Sequence, residues 1–351
     1  MQISIIGSGA WGTAIAKVLA DKFRDNNILL WSFEESVKNS INNEHENFKY
    51  LNGIKLSDNL VASSNLLNVV SLSDYIFIAT PSLYTLDILN KLRDMFITKQ
   101  PTLAILTKGF ITIEEKPNTI MEVAESILTE YKDKITYIAG PSHAEEVGLG
   151  IITGLVAASK SLENACKFID LFSNTSISMF YSNDVLGVQI ASALKNIFAI
   201  AFGILDEYKI KNPNLIGSNT ESFLFAVSLN DMKNIACKIG VCNEETFLFL
   251  AGSGDLDVTC RSIFGRNRRF GNEIVSKNIL AGFTDIDDLI RNIHKIGYLP
   301  EGILAAKEIS LLFKSLGCDL NYSNLANIIY KILNKELMPE SIIDYIRNFK
   351  F

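Results

Sequence analysis

The chain has 351 residues, 48% hydrophobic and 21% charged, and its 33 Lys+Arg against 39 Asp+Glu leave a formal charge of −6. That length supports two domains with separate cores, and the composition is that of a soluble globular protein rather than a disordered or fibrous one. The acidic balance argues against a nucleic-acid or anionic-membrane partner, which would favour a basic surface.

In chain order, "QISIIG" (Gln2–Gly7), "NILLW" (Asn27–Trp31), "YIFIAT" (Tyr75–Thr80), "TLAILT" (Thr102–Thr107) and "TYIAG" (Thr136–Gly140) are continuous β-rich runs. Such runs suit parallel strands buried on both faces. Helix-length segments lie between them, at Gly12–Lys22, Tyr84–Phe96 and Asn118–Tyr131, which is the alternation of a doubly wound α/β sheet. Two further strand-like runs, Gly154–Ser159 and Ser176–Ser182, precede a remainder that reads as helix with loops. The expected division is a dinucleotide-binding domain over 1–184 and an all-α domain over 185–351.

The five cysteines, at positions 166, 237, 242, 260 and 318, contain no C-x-x-C and are expected to be small buried hydrophobes. The three histidines, His45, His143 and His294, are far apart, and no metal site is expected. The N-terminus lacks a basic leader and enters a glycine motif within seven residues, so the expected location is the cytoplasm.

That motif, "GSGAWG" (Gly7–Gly12), follows one predicted strand and opens a predicted helix. Gly7 suits a tight turn, Gly9 lets backbone approach a pyrophosphate, and Gly12 lets helix pack on strand. The helix N-terminus offers unpaired N–H groups to the phosphates. At the end of the second strand, where a ribose-binding acid is expected, the chain reads "WSFEES", with Phe33, Glu34, Glu35 and no Arg. An acid there would repel a 2′-phosphate, so NAD is expected over NADP, although both glutamates could instead simply open a surface helix.

Leu186–Leu205 is a mostly apolar run long enough to span a bilayer. It carries Lys195 and Asn196 at its centre, where a lysine costs roughly 2.5–3.5 kcal/mol on insertion. A core helix is therefore expected, and no integral membrane association. At about 100° per residue, Gln189, Ser192, Lys195, Asn196, Ala199, Gly203 and Asp206 fall on one narrow stripe of an otherwise apolar helix. Such a stripe should face a cavity, with Ala199 and Gly203 leaving room for a neighbour or a ligand.

Five stretches in order, "GSGAWGTA", "TKG" (Thr107–Gly109), "GPSHAEEV" (Gly140–Val147), "ALKN" (Ala193–Asn196) and "GSGDLDVTC…GRNRRFG" (Gly252–Gly271), followed by "PEG" (Pro300–Gly302), together resemble the NAD(P)-dependent glycerol-3-phosphate dehydrogenases. The resemblance implies an N-terminal Rossmann domain, a helical C-terminal domain, a homodimer, and hydride transfer between a nicotinamide and a small phosphorylated substrate. It matches Lys195 to the catalytic lysine. It matches Lys108, Gly140, Ser142, Asp255, Gly265, Arg266 and Asn267 to positions that meet substrate; from the residues themselves, Asn196 on the polar stripe and the Thr259 hydroxyl are expected at the same site. Ala10, Trp11, Phe33, Ala144, Leu299 and Glu301 match positions around the dinucleotide, which Lys108 and Arg266 also approach.

The chemistry of the residues agrees. Oxidising a secondary alcohol needs a base for the hydroxyl proton, and a lysine serves near neutral pH when burial disfavours its charged form. Asp255 could pair with Lys195, orient the substrate hydroxyl, or merely cap a helix. Arg266, Arg268 and Arg269 cluster around Asn267, and arginine's planar fork suits a phosphomonoester. On a helix the three cannot all face one ligand, so Arg266 with Asn267 is the expected clamp and the other two are expected on solvated surface. His143 is expected to pack or to line the cofactor.

The chain departs from the family pattern over Asn219–Met232, where a basic residue and an Arg-Gly pair are usual, and at Gly265, where a serine is usual. Two alternatives remain at this level: a reductase for another β-hydroxy or phosphorylated acid, and a non-catalytic dinucleotide sensor. Lys195 and Asp255 argue against the sensor, and the "GRNR" cluster argues for a phosphate on the substrate.

Overall fold

The structure, a computed structural model, describes residues 1–240, 243–262, 265–317 and 324–349; Cys242 and Cys318 lie outside the described residues. The contacts form two compact units, Met1–Ile111 with Thr119–Val188, and Thr112–Asn118 with Gln189–Phe351.

The strands are β1 (Ile3–Ile6), β2 (Ile28–Trp31), β3 (Leu60–Ser63), β4 (Tyr75–Ile78), β5 (Thr102–Ile105), β6 (Phe110–Ile113), β7 (Lys116–Thr119), β8 (Thr136–Ala139), β9 (Thr153–Ala158) and β10 (Ile177–Ser182). Eight of them form one sheet in the order β10-β9-β8-β5-β4-β1-β2-β3. Neighbours run parallel except β8 and β9, which are antiparallel. Each of the seven β-rich runs forms a strand. Continuous burial of β1 and β8 reflects helices on both faces. Strand order reverses on either side of β1, and in such sheets ligands bind beyond the carboxyl ends of strands at that switch point.

The first unit's helices are α1 (Ala10–Lys22), α2 (Glu35–Asn39), α3 (Leu66–Ser71), α4 (Ser82–Lys99), α5 (Ile120–Ile127), α6 (Ala144–Gly148) and α7 (Leu162–Phe172). On one face of the sheet Phe77 of β4 meets Phe168 and Phe172 of α7 edge-on, at 5.1 and 6.0 Å between ring centroids. The segment expected as one helix over Asn118–Tyr131 is instead the end of β7, then α5, then a short 3₁₀ turn. Thr119 forms a capping box with Glu122, and that fixes where α5 begins.

Apart from Thr112–Asn118, which holds most of β7, the second unit is helical, and α8 enters it from the first at Gln189: α8 (Val185–Lys211), α9 (Ser218–Ile239), α10 (Glu244–Leu248), α11 (Asp255–Arg261), α12 (Arg266–Ser276), α13 (Ile286–Arg291), α14 (Glu301–Ser315), α15 (Leu325–Leu333) and α16 (Ser341–Arg347). Among the described residues no strand follows Ser182. Asp184 caps α8 by accepting the Gly187 N–H at 2.9 Å, and Pro213 follows two residues after the helix ends. The apolar window of α8 is long enough to cross a bilayer and is wholly buried inside the protein. It is a core helix.

Backbone contacts set its neighbours. A Cβ on Gly203 would lie 1.9 Å from the Arg268 carbonyl oxygen, one on Gly271 2.0 Å from that of Ile200, and one on Gly302 2.4 Å from that of Asn196. α12 and the start of α14 therefore touch α8 backbone to backbone. The space expected beside Gly203 is taken by α12, not by a ligand.

The divergent stretch lies within α9. Glu221 accepts from Lys209 at 2.7 Å, and Ser228, fully buried, donates to the Leu224 carbonyl at 2.7 Å. Asp231 accepts the Leu325 N–H at 2.6 Å, at the start of α15, and the Tyr345 hydroxyl at 3.2 Å. Burial pushes its carboxyl up to about 6, against the pull of those two donors.

Of the described cysteines only Cys260 is buried; Cys166 is exposed and Cys237 half-buried, which corrects the expectation. Cys166 stands one position off the stripe of Ala165, Phe168 and Phe172 that α7 turns inward.

Candidate active site

The glycine loop is shaped by three different demands. Gly7 has φ +120°, and a Cβ there would lie 2.8 Å from the Ala79 carbonyl oxygen just beyond β4. A Cβ on Gly12 would lie 2.0 Å from the Gly7 oxygen, so only glycine lets α1 sit this close to the loop. A Cβ on Gly9 would meet nothing within 4 Å, so its backbone faces open space at the sheet's switch point.

Ala10 and Trp11 form the first turn of α1, and the buried Trp11 indole N–H has no partner among the described residues. An open backbone face, a helix N-terminus and an orphaned donor fit a dinucleotide pyrophosphate. Phe33, beyond β2, is 83% exposed and meets Trp31 edge-on.

Further along the same carboxyl edge, Lys108 follows β5 and is partly exposed. Gly140 and Ser142 follow β8, the parallel neighbour of β5. Gly140 has φ +135° with the Gly154 oxygen 3.0 Å from where a Cβ would lie, and Ser142 donates to the Gly140 carbonyl at 2.9 Å. His143 stands at the N-cap position of α6, and Ala144 is buried in the first unit's core.

In the second unit, Lys195 on α8 is 6% exposed and its ammonium donates to a carboxylate oxygen of Asp255, which is fully buried. The pair joins residues 60 positions apart. Asp255 supplies the counter-charge that a buried ammonium requires, since removing one partner of such a pair typically costs 3–5 kcal/mol. A π-helical turn, Leu250–Gly254, delivers Asp255 to the first position of α11. The turn depends on Gly252, where a Cβ would lie 2.2 Å from the Phe247 oxygen. Such turns recur at functional sites. Thr259 donates to the Asp255 carbonyl at 2.6 Å.

The polar stripe of α8 thus faces α11, α12 and the start of α14. Asn196 accepts from Asn267 at 2.9 Å, and Asn267 in turn accepts the Gly302 N–H at 2.9 Å, so its amide ties three helices together. Asp206, at the end of the stripe, takes Arg268 with both oxygens at 2.7 Å, and Arg268 also donates to the Cys260 and Arg261 carbonyls. Arg268 is therefore an internal clasp rather than the solvated residue expected. Its signal was Asp206, an acid on a stripe otherwise turned inward.

Arg269 is mostly exposed, as expected, but stacks over the Tyr298 ring at 4.4 Å and pairs with Glu273. Burial alone would raise the Glu273 carboxyl, yet hydrogen bonds from Tyr298, Lys277 and Arg269 hold it below its usual value. This cluster ties α12 to the segment that carries Leu299 and leads into Glu301 at the start of α14, and sequence reading missed it. Arg266, at the first position of α12 after Gly265, is exposed, and no acidic partner is found for it among the described residues. Asp257, which pairs with Arg261 on the surface of α11, stays apart from the buried pair.

Two family models cover most of the chain: the NAD-dependent glycerol-3-phosphate dehydrogenase N-terminus over residues 2–165, and its C-terminus over residues 184–344. A glycerol-3-phosphate dehydrogenase [NAD(P)+] of Treponema denticola is 43% identical over 98% of this chain and 97% of its own length. One from Carboxydothermus hydrogenoformans is 34% identical over 97% and 94%. The crystal structure of the Coxiella burnetii glycerol-3-phosphate dehydrogenase superposes with a TM-score of 0.83 at 27% identity, covering 99% of this chain and 98% of that one. A dinucleotide loop at the switch point of a doubly wound sheet, a helical unit built around a lysine–aspartate pair, and matches over both parts lead to one conclusion: the chain belongs to the NAD(P)-dependent glycerol-3-phosphate dehydrogenase family and is an oxidoreductase.

Proposed function

We propose that this chain interconverts sn-glycerol 3-phosphate and dihydroxyacetone phosphate, with Lys195 as the general acid and base. The buried Lys195–Asp255 pair carries this reading. NAD(P)H, when bound, supplies the hydride. In the reductive direction Lys195 holds a proton at Nζ and gives it to the oxygen that becomes the alcohol; in the oxidative direction it takes that proton back. Asp255 keeps Nζ in place and balances its charge inside an apolar unit.

The substrate phosphate is bound by Arg266, whose exposed guanidinium stands at a helix N-terminus with no acidic partner among the described residues and so combines a planar fork with a favourable dipole. Lys108 follows β5 at the carboxyl edge of the first unit's sheet, the edge at which ligands of such folds bind. Asn267, with both ends of its amide engaged inside the protein, serves this site by fixing Arg266's helix against α8.

The family relationship supports a cytoplasmic homodimer that supplies glycerol 3-phosphate for phospholipid synthesis. Following nicotinamide absorbance with purified protein, dihydroxyacetone phosphate and either NADH or NADPH tests the reading. Oxidation that depends on the phosphorylated ketone is expected; turnover of unphosphorylated dihydroxyacetone at equal kcat/KM would overturn it.

A further inference from the structure

At the end of β2, where the adenosine ribose docks in sheets of this kind, Glu34 is not a bare acid. Lys49 donates to its Oε2 and the Tyr50 hydroxyl to its Oε1. These donors come from 15 and 16 residues downstream.

A buried asparagine brings them back. Asn47, fully buried, donates to the Ser8 carbonyl at 2.8 Å and to the Thr13 hydroxyl at 2.9 Å, directly beneath the glycine loop, and accepts the Tyr50 N–H at 3.1 Å. From the other side Ser8 donates to Ser32 at 2.8 Å, and Ser32 to the Glu34 carbonyl at 3.0 Å. One hydrogen-bonded chain therefore joins the pyrophosphate loop to the Glu34–Lys49–Tyr50 cluster. Glu35 is likewise paired, with Lys38. Two acids that look uncompensated in sequence are each matched by a lysine in the fold. Lys49 keeps 55% of its side chain exposed, within reach of a ligand.

We propose that Lys49, assisted by Tyr50, is the residue that admits a 2′-phosphate, so that this cluster accepts both nicotinamide dinucleotides. The proposal rests on the dinucleotide reading above. A ribose 2′-hydroxyl donates to Glu34 and leaves the Lys49 pair intact. A 2′-phosphate instead takes the Lys49 ammonium and the Tyr50 hydroxyl as donors, in exchange for their bonds to Glu34. Glu34 then stands close to a phosphate dianion, which limits the gain and keeps the two cofactors comparable.

ADP-ribose and 2′-phospho-ADP-ribose differ only in the 2′ group and undergo no turnover, so calorimetric titration with both separates the claims. Lys49→Ala is expected to weaken 2′-phospho-ADP-ribose about tenfold, the worth of one exposed charge-assisted contact, and to weaken ADP-ribose by less than about twofold. Glu34→Gln is expected to tighten the phosphorylated ligand relative to the other. Equal weakening of both ligands by Lys49→Ala, or wild-type protein that binds ADP-ribose alone, would overturn the role of Lys49 and leave the dinucleotide site standing. Binding of neither ligand to wild-type protein would overturn the dinucleotide site itself.

Discussion

The two units build their sites by different means. In the first, the binding loop is made of backbone: Gly7, Gly9 and Gly12 act through conformation, openness and close approach, all within six residues. In the second, the buried polar groups are held by side chains that meet across long stretches of chain, Lys195 with Asp255, Asn196 with Asn267, and Asp206 with Arg268. Local backbone devices leave a spaced signature in sequence. Long-range side-chain pairs leave only an anomaly, a lysine or an aspartate where an apolar residue belongs.

Substitutions sharpen this contrast. The largest effect is expected at Gly203, because two of the second unit's pairs, Asn196 with Asn267 and Asp206 with Arg268, exist only if α12 reaches α8. Gly203→Val places side-chain atoms into the Arg268 carbonyl and should cost about 4 kcal/mol or more, or prevent folding; chemical denaturation gives the value. A loss under about 1 kcal/mol would mean that the backbone contact is not what positions α12.

Next comes Asp255→Asn, which keeps shape and removes charge. It is expected to lower kcat by about 10²–10³ and to destabilise the protein measurably, because Lys195 loses its buried counter-charge. Normal kcat would separate the pair from the chemistry.

Asp231 shows the same strategy used for structure alone. Its carboxyl is pushed up to about 6 by burial, above an ordinary value of about 3.9. The folded state binds this proton more tightly than the unfolded chain. The group's contribution to stability is therefore complete below about pH 4 and is lost as pH rises through about 6. At about 1.4 kcal/mol per pH unit the loss is roughly 3 kcal/mol. Asp231→Asn should flatten this dependence in urea titrations and be the more stable protein at pH 8; an unchanged slope between pH 4 and 7 would contradict the assignment.

The smallest effect belongs to Arg266, on the surface. Arg266→Ala is expected to raise KM for dihydroxyacetone phosphate about tenfold while sparing the unphosphorylated ketone. Equal effects on both would remove it from the phosphate site.

The same contrast explains what could be read in advance. Continuous apolar runs announced seven strands, because burial on both faces demands them. β3 escaped because four residues with alternating exposure carry little pattern. α8 was legible as a core helix with one polar stripe, but the stripe's partners were not, since nothing local links Asn196 to a residue 71 positions on. Glu34 looked like a free acid for the same reason: Lys49 reaches it only through the fold around Asn47. Arg268 lay beside Arg266 in sequence, and only the position of Asp206 separates an internal clasp from a free guanidinium.

The central claim is that Lys195 moves the substrate proton. The most direct test is kcat for Lys195→Ala with saturating dihydroxyacetone phosphate and NADH, alongside calorimetric binding of ADP-ribose to confirm an intact dinucleotide site. The account predicts a fall in kcat of about 10²–10⁴ with ADP-ribose affinity unchanged within about twofold; near-normal kcat in a variant that binds ADP-ribose normally would contradict it.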